Sequence, residues 1–203
     1  MLCGLTACST TSESSSGSTV ASTSETRTTK TTATSYCNPD ETLFLRGCDF
    51  AGADLAGADF AGADLNGADF TSADLNGADF AGADLNGANF TSADLNGANL
   101  TGANLTGANL TGADLTGARL SRADLFNANL SGARLYQADF YEALLFMASL
   151  VNVDARYADF TGASLKLANL TGADLRGASL VDASVAGANF TGANLDGVTG
   201  NTP

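Results

Sequence analysis

A five-residue unit repeats without a change of register across most of the chain. Leu or Phe occupies nearly every position whose number is a multiple of five, from Phe50 to Leu195. Ala usually precedes it by two residues, Asp or Asn precedes it by one, and Gly follows two residues later, as in AGADLNGADFTSADLNGADF at 61–80. The exceptions at the large position are Ala155 and Val185. Such regularity indicates a repeat architecture.

A unit of five residues fits neither an α-helix nor a straight β-strand. Five residues advance a helix by about 500°, so successive large side chains would lie about 140° apart around its axis. In a straight strand, an odd spacing would put consecutive large side chains on opposite faces. The chain must therefore turn once in each unit, and Gly is the residue that tolerates such turns. The Ala and the large residue, two positions apart, then both point inward.

A longer period of twenty residues indicates that four units close one coil. The TS pair at 71–72 returns at 91–92, and Phe alternates with Leu from residue 50 to residue 90. With four sides, Phe50, Phe70 and Phe90 stack in one column, whereas three or five sides would mix Phe with Leu in every column. Stacked identical side chains are typical of solenoid interiors. We therefore expect an all-β solenoid of about seven coils.

The unit A-(D/N)-(L/F)-x-G resembles that of the pentapeptide-repeat proteins. The resemblance implies a right-handed quadrilateral parallel β-helix over residues 48–198, and the right-handed bias of parallel crossovers supports that hand. Family members usually carry a C-terminal helical cap or a pairing interface, whereas here LDGVTGNTP occupies residues 195–203. An uncapped solenoid end exposes ladder hydrogen-bonding groups, so either a short turn covers it or two rods meet end to end as a homodimer.

The segment before the repeats has a different composition. Residues 9–36 are dominated by Ser and Thr and nearly lack large apolar side chains, which predicts a disordered tether. Residues 5–8, LTAC, resemble a bacterial lipobox, which implies lipidation of Cys8 and attachment to a bacterial membrane through that lipid alone. Seven residues are too few for a signal segment, so either 1–8 is a truncated signal or the match is accidental. The first alternative predicts an extracytoplasmic protein and the second a cytoplasmic one.

Two cysteines bracket the entry to the first coil. Cys37 and Cys48 flank an N-terminal cap segment, 37–47, and 199–203 forms a C-terminal tail. A disulfide between the two cysteines would close a small loop and would require an oxidising compartment, in agreement with export. Alternatively both are buried free thiols, with Cys48 replacing an inward Ala.

The composition disfavours catalysis and nucleic-acid binding. The chain has no His, the commonest general base and metal ligand, and its isolated Asp columns lack the asymmetric environments that acid–base catalysis needs. We expect no enzyme activity, no cofactor and no metal. A formal net charge of −13 disfavours direct binding to nucleic acid or to an anionic membrane surface but permits a basic partner.

The twenty-residue period also aligns acidic residues in columns. Asp54, Asp74, Asp94 and Asp114 form one such column. Three interpretations remain open. The carboxylates could bond to their own turn backbone, form an anionic surface for a cationic partner, or bind Ca²⁺ weakly, although no loop gathers ligands from several directions.

Large residues replace small outward ones between about 119 and 167. The period places Phe126 under Phe146 and Met147 under Leu167, on or beside one edge of the rod, and pairs Arg122 with Glu142. Exposed apolar patches rich in aromatics and Met tend to mark interaction sites, but these residues could also pack on one another over a distorted coil. The candidate partner patch comprises Phe126, Tyr136, Tyr141, Leu144, Phe146, Met147, Val151, Tyr157 and Leu167.

Two functions from different classes are consistent with these features. The first is an exported, lipid-anchored scaffold or protein-binding rod in a bacterial envelope, whose protein partner is unidentified. The second follows from the family resemblance, which implies a cytosolic mimic of DNA that binds DNA gyrase and protects it from quinolones. The net charge of −13 fits the second function, whereas the lipobox and the missing helical cap favour the first.

Overall fold

The chain folds as a right-handed quadrilateral β-helix in a computed structural model, which describes residues 45–201. Parallel β-bridges join successive coils, and each pairs a residue with the one twenty positions later, from Asp49↔Asp69 to Asp174↔Asn194. Two short strands belong to the same ladder. β1 at Ser179–Leu180 pairs in parallel with β2 at Thr199–Gly200. The predicted coil of four five-residue units is confirmed.

Each corner of the coil is a four-residue turn that also bonds to the next coil. At a representative corner the Ala98 N–H donates to the Leu95 carbonyl at 3.0 Å, which closes the turn. The third residue of this turn, Gly97, has a φ of 64°, a conformation that costs Gly little. Its N–H donates to the Thr116 carbonyl of the following coil at 2.9 Å. The chain therefore changes direction without interrupting the hydrogen-bond ladder between coils.

The Ala and the large residue of each unit point inward, and together they fill the bore of the rod. The rings of Phe50 and Phe70 stack with centroids 5.0 Å apart, and those of Phe70 and Phe90 with centroids 4.9 Å apart. Phe60 and Phe80 form a second stack, whose rings meet the first edge to face. Among the described residues no polar or charged residue is buried. The Phe columns expected from the twenty-residue period are therefore confirmed.

The ladder reaches both ends of the described range. The Leu45 N–H donates to the Asp64 carbonyl at 2.7 Å, and the Asn201 N–H donates to the Leu180 carbonyl at 3.0 Å. Both donors lie outside the range 48–198 expected for the repeats. The predicted signal remnant and tether, as well as Cys8 and Cys37, lie outside the described residues. Within residues 45–201 there is no apolar helix of membrane-spanning length.

Candidate functional site

The second of the two central turn residues at each corner, the position that Gly97 holds, carries an unusual set of residues in the second half of the rod. Gly fills this position in most units, always with positive φ. Between residues 122 and 182, nine such positions hold other residues in the same left-handed conformation, including Met147, Tyr157 and Leu167 with φ of 59°, 60° and 57°. The left-handed conformation costs a bulky residue about 1–2 kcal/mol relative to an ordinary backbone conformation. Backbone strain of this kind tends to cluster at functional sites.

One corner carries a continuous set of exposed apolar side chains. The rings of Phe126 and Phe146 stack with centroids 5.8 Å apart and planes 7° apart. Met147 and Leu167 hold the second position of the same corner in successive coils, and Leu144 lies on the adjoining face. The exposed fractions are 42% for Phe126, 49% for Leu144, 48% for Met147 and 55% for Leu167. We call these five residues the apolar corner.

The structure does not bring all nine residues of the expected patch together. Corners follow one another at five-residue intervals, so corners ten residues apart are diagonally opposite. Tyr136 and Tyr157 therefore lie opposite the apolar corner. Tyr141 and Val151 lie on the two corners in between, so neither belongs to the apolar corner. Val181, which is 39% exposed and shares a corner with Tyr141 two coils away, was missed by the sequence reasoning, although the same period could have found it.

Tyrosine and arginine side chains cover the opposite corner. The rings of Tyr136 and Tyr157 meet edge to face with centroids 5.8 Å apart, and the Arg156 guanidinium carbon lies 5.5 Å from the Tyr136 ring centroid. Arg156 Nε is 2.7 Å from Asp154 Oδ1, and Arg176 Nη2 is 2.7 Å from Asp174 Oδ2. Together with Arg134, these residues form what we call the Tyr–Arg surface.

The ionised state of both carboxylates on the Tyr–Arg surface is stabilised by arginine. Hydrogen bonds from the Arg156 side chain hold the pKa of Asp154 below its ordinary value. Hydrogen bonds from the Arg176 side chain lower the pKa of Asp174 in the same way. Each guanidinium reaches both oxygens of its carboxylate, a two-point geometry that fixes the direction of the arginine side chain.

The ion pair expected between Arg122 and Glu142 is present, and a second pair joins Arg134 to Asp114. Arg122 Nε lies 2.8 Å from Glu142 Oε2, and Arg134 Nη1 lies 3.3 Å from Asp114 Oδ2. Because these side chains are well exposed, such pairs add little to stability. The basic residues at these positions thus have local carboxylate partners.

The acidic column bonds to its own turns. Asp74, Asp94 and Asp114 each accept a hydrogen bond on Oδ1 from the backbone N–H two residues later, at 3.0 or 3.1 Å. Parallel bridges align Asp54 with this column. The first of the three interpretations therefore describes the geometry of these carboxylates. Over residues 45–201 no three His, Cys, Asp or Glu side chains come close enough to hold a metal ion.

Cys48 occupies an inward position at the start of the rod. It is 2% exposed and is disulfide-bonded. Its partner lies outside the described residues, so the predicted pairing with Cys37 stays a prediction.

The repeat, the four-sided coil and the hydrogen-bonded turns define a β-solenoid class of protein. The chain belongs to the pentapeptide repeat family, whose eight-copy model, "Pentapeptide repeats", matches residues 45–82, 68–107, 103–141, 148–184 and 168–199. None of the curated proteins compared matches the chain.

The chain is similar to the following two solved structures. A trypsin-treated form of QnrB1, a plasmid-mediated fluoroquinolone resistance protein, is 25% identical with a TM-score of 0.69, and the match covers 78% of this chain and 79% of that chain. The pentapeptide repeat protein Rfr23 from the cyanobacterium Cyanothece 51142 is 33% identical over 46% of this chain and 60% of that chain, with a TM-score of 0.36.

Proposed function

We propose that this protein is a non-enzymatic rod that binds another protein through its apolar corner. The observation that carries the proposal is that exposed apolar side chains occupy strained backbone positions. Met147 and Leu167 stand about half exposed at positions where Gly would relieve the backbone. Exposure of contiguous apolar side chains to water is unfavourable, and burial against a partner lowers the free energy by about 25 cal/mol per Å² of apolar surface.

The regular part of the rod supports this assignment by contrast. On the same edge, the positions one and two coils before Phe126 are Thr106 and Asn86. The fold is the same there, so the coil does not need an aromatic residue at this corner. The large side chains are therefore additions to the outer surface rather than parts of the core.

The test is a charge placed in the centre of the apolar corner. We expect Phe146→Glu to abolish the capture of specific partners from an extract of the native cell, measured by quantitative pull-down with full-length protein. Thr106→Glu is the matched control, because it introduces the same charge on the same edge two coils away and should leave capture unchanged. Identical partners and an identical oligomeric state for wild type and Phe146→Glu would remove the apolar corner as an interface.

We further propose that the rod is exported and anchored by lipid to a bacterial membrane. The support is the sequence LTAC at residues 5–8, followed by the Ser- and Thr-rich residues 9–36. Metabolic labelling with palmitate should mark the wild type and should fail to mark Cys8→Ala. Labelling of both proteins, or of neither, would contradict the lipid anchor.

A second candidate function is a cytosolic DNA mimic that binds DNA gyrase and protects it from quinolones. The formal net charge of −13 favours it, as does the likeness to QnrB1, a fluoroquinolone resistance protein. The purified chain would then inhibit supercoiling by gyrase or protect gyrase from a fluoroquinolone in vitro, and absence of both effects would exclude this function.

The end-to-end homodimer stays a separate prediction, which sedimentation equilibrium tests directly.

A further inference from the structure

The Tyr–Arg surface is separate from the apolar corner, and the protein-binding function proposed above does not involve it. Tyr136, Arg156 and Arg176 hold the first position of one corner in three successive coils, and Tyr157 holds the second position of that corner. Backbone bonds between these coils, from Gln137 to Arg156 and from Tyr157 to Arg176, fix their spacing. The two surfaces face away from each other, so a ligand bound to one leaves the other accessible.

Each arginine of this surface is paired with an aspartate. Arg156 donates from Nε and Nη2 to the two carboxylate oxygens of Asp154, both at 2.7 Å. Arg176 donates in the same way to Asp174 at 2.9 and 2.7 Å. Arg134 is paired with Asp114 on the adjoining face. Three arginines are therefore matched by three aspartates, in a chain whose formal net charge is −13.

The tyrosine rings are held in place but remain open to solvent. Tyr157 is 59% exposed. A Cβ atom on Gly177, in the next coil, would lie 2.7 Å from Cδ1 and Cε1 of the Tyr157 ring, so only Gly at this position lets the ring lie against the coil. The Tyr136 ring meets it edge to face. The Tyr157 ring thus has a fixed orientation, which lowers the entropy lost when a ligand stacks on it.

We propose that the Tyr–Arg surface binds a neutral oligosaccharide. The C–H face of a sugar ring stacks on the exposed Tyr157 ring, since aromatic side chains combine an apolar surface with a polar group. Sugar hydroxyls accept from the guanidinium N–H groups that the aspartates leave free, and they donate to the remaining carboxylate lone pairs. The arginine–aspartate pairs are already formed, so these donors and acceptors keep their directions in the absence of ligand.

Other classes of ligand fit this surface less well. An anion must displace the aspartates from the arginines and approach a strongly acidic molecule. A cation meets three arginines close together. An apolar ligand would remove charged pairs from water without replacing their hydrogen bonds, which is unfavourable. A neutral polyhydroxylated ligand meets none of these obstacles.

The test is native affinity electrophoresis of the full chain in gels that contain hydroxyethyl cellulose, glycol chitin or dextran, with heparin as an anionic probe. We expect at least one neutral polysaccharide to retard the wild type. Tyr157→Gly should raise the dissociation constant about tenfold, and Tyr136→Thr should weaken binding in the same direction. Gly at position 157 relieves a strained backbone, so the first variant is expected to fold.

Leu167→Gly is the matched control, because it removes a large side chain from the equivalent position of the opposite corner. It should leave retardation unchanged. The proposal is overturned if no neutral polysaccharide retards the wild type, if heparin alone does so, or if both tyrosine variants migrate as the wild type does. Capture of a protein through the apolar corner is a separate experiment, so either result can fail without the other.

Discussion

At the scale of single residues, the residue type at the second corner position affects both the stability of the coil and the side chain that the surface presents there. Gly takes the left-handed conformation without steric conflict between Cβ and the backbone, whereas Met147 and Leu167 take it with such a conflict. Neither side chain is buried, so burial in the isolated rod offsets little of this strain. The residues best suited to binding are therefore also the ones that weaken the coil.

The strain can be measured by exchanging residues along one edge. We expect Met147→Gly to raise the free energy of unfolding by about 1 kcal/mol, because it relieves the left-handed conformation. The reverse exchange, Gly107→Met, lies on the same edge two coils earlier, where an added Cβ meets no atom within 4 Å. It should lower the free energy of unfolding by a similar amount. Urea unfolding of both variants checks this prediction, and equal midpoints for the two would show that the conformation carries no strain.

The arginine–aspartate pairs of the Tyr–Arg surface predict a dependence of stability on pH. The pKa of Asp154 lies below its ordinary value of 3.8 in the folded chain, chiefly because the Arg156 side chain donates to its carboxylate. The folded state thus binds this proton less readily than the unfolded chain. The stabilisation is complete above the ordinary pKa and is lost as the pH falls through the lower, folded value.

The measurement is urea unfolding of wild type and Arg156→Gln from about pH 6 to about pH 2. We expect the wild type to lose more stability over this range than the variant, in which Asp154 has lost its partner. Arg119→Gln changes the same residue type at a position that forms no ion pair within residues 45–201, and it should keep the wild-type slope. Parallel curves for wild type and Arg156→Gln would contradict the assignment.

At the scale of the coil, the sequence predicted the backbone better than the surface. Leu, Phe and Ala recur at fixed positions, so the four sides and the Phe columns follow from counting. The bonds made by outward residues do not follow, because the same position can bond within its turn or to the next coil. Asn99, for example, donates from Nδ2 to Asp79 Oδ1 of the preceding coil at 2.8 Å, an amide link that Asp cannot make.

The candidate site was predictable in composition but not in arrangement. The large residues between 119 and 167 are recognisable by residue type alone. Their distribution over the four corners becomes clear only when each residue is assigned to a corner. Applied to every residue, the twenty-residue period separates Tyr136 and Tyr157 from the apolar corner. The contact of Tyr157 with Gly177 depends on a side-chain direction that the repeat does not specify.

The packing of the bore predicts a large difference between inward and outward Phe residues. Phe80 is fully buried and contacts the rings of Phe60, Phe70 and Phe90. We expect Phe80→Ala to lower the free energy of unfolding by about 3–5 kcal/mol, since the rigid ladder cannot close the cavity. Phe126→Thr, which restores the residue type found at Thr106, should change it by less than about 1 kcal/mol. Similar losses in both variants, measured by urea unfolding, would contradict this account of the core.

At the scale of the whole molecule, charge is distributed unevenly along the rod. Every unit from Asp49 to Asp84 carries an Asp before its large residue, so all four faces are acidic there. Among the described residues, the basic side chains other than Arg46 lie between Arg119 and Arg176. The first coils therefore contain mainly like charges in adjacent coils, about 5 Å apart, whereas the later coils also contain several opposite-charge pairs.

This distribution predicts that salt stabilises the first coils most. Raising NaCl from about 10 mM to about 500 mM shortens the screening length from about 30 Å to a few Å. Amide hydrogen-exchange protection at Leu55 to Leu75 should then increase more than at Leu150 to Leu170. The double variant Asp59→Asn and Asp79→Asn should reduce this increase, because it removes two facing charges. A uniform response along the rod would contradict the prediction.

The constant twenty-residue coil has a consequence for how such a rod can evolve. Duplication of twenty residues lengthens the molecule and leaves every column intact. Duplication of a single five-residue unit rotates everything that follows by a quarter of a turn. The angle between two surface sites on this rod can thus change through the number of units between them, without substitution of any residue in either site.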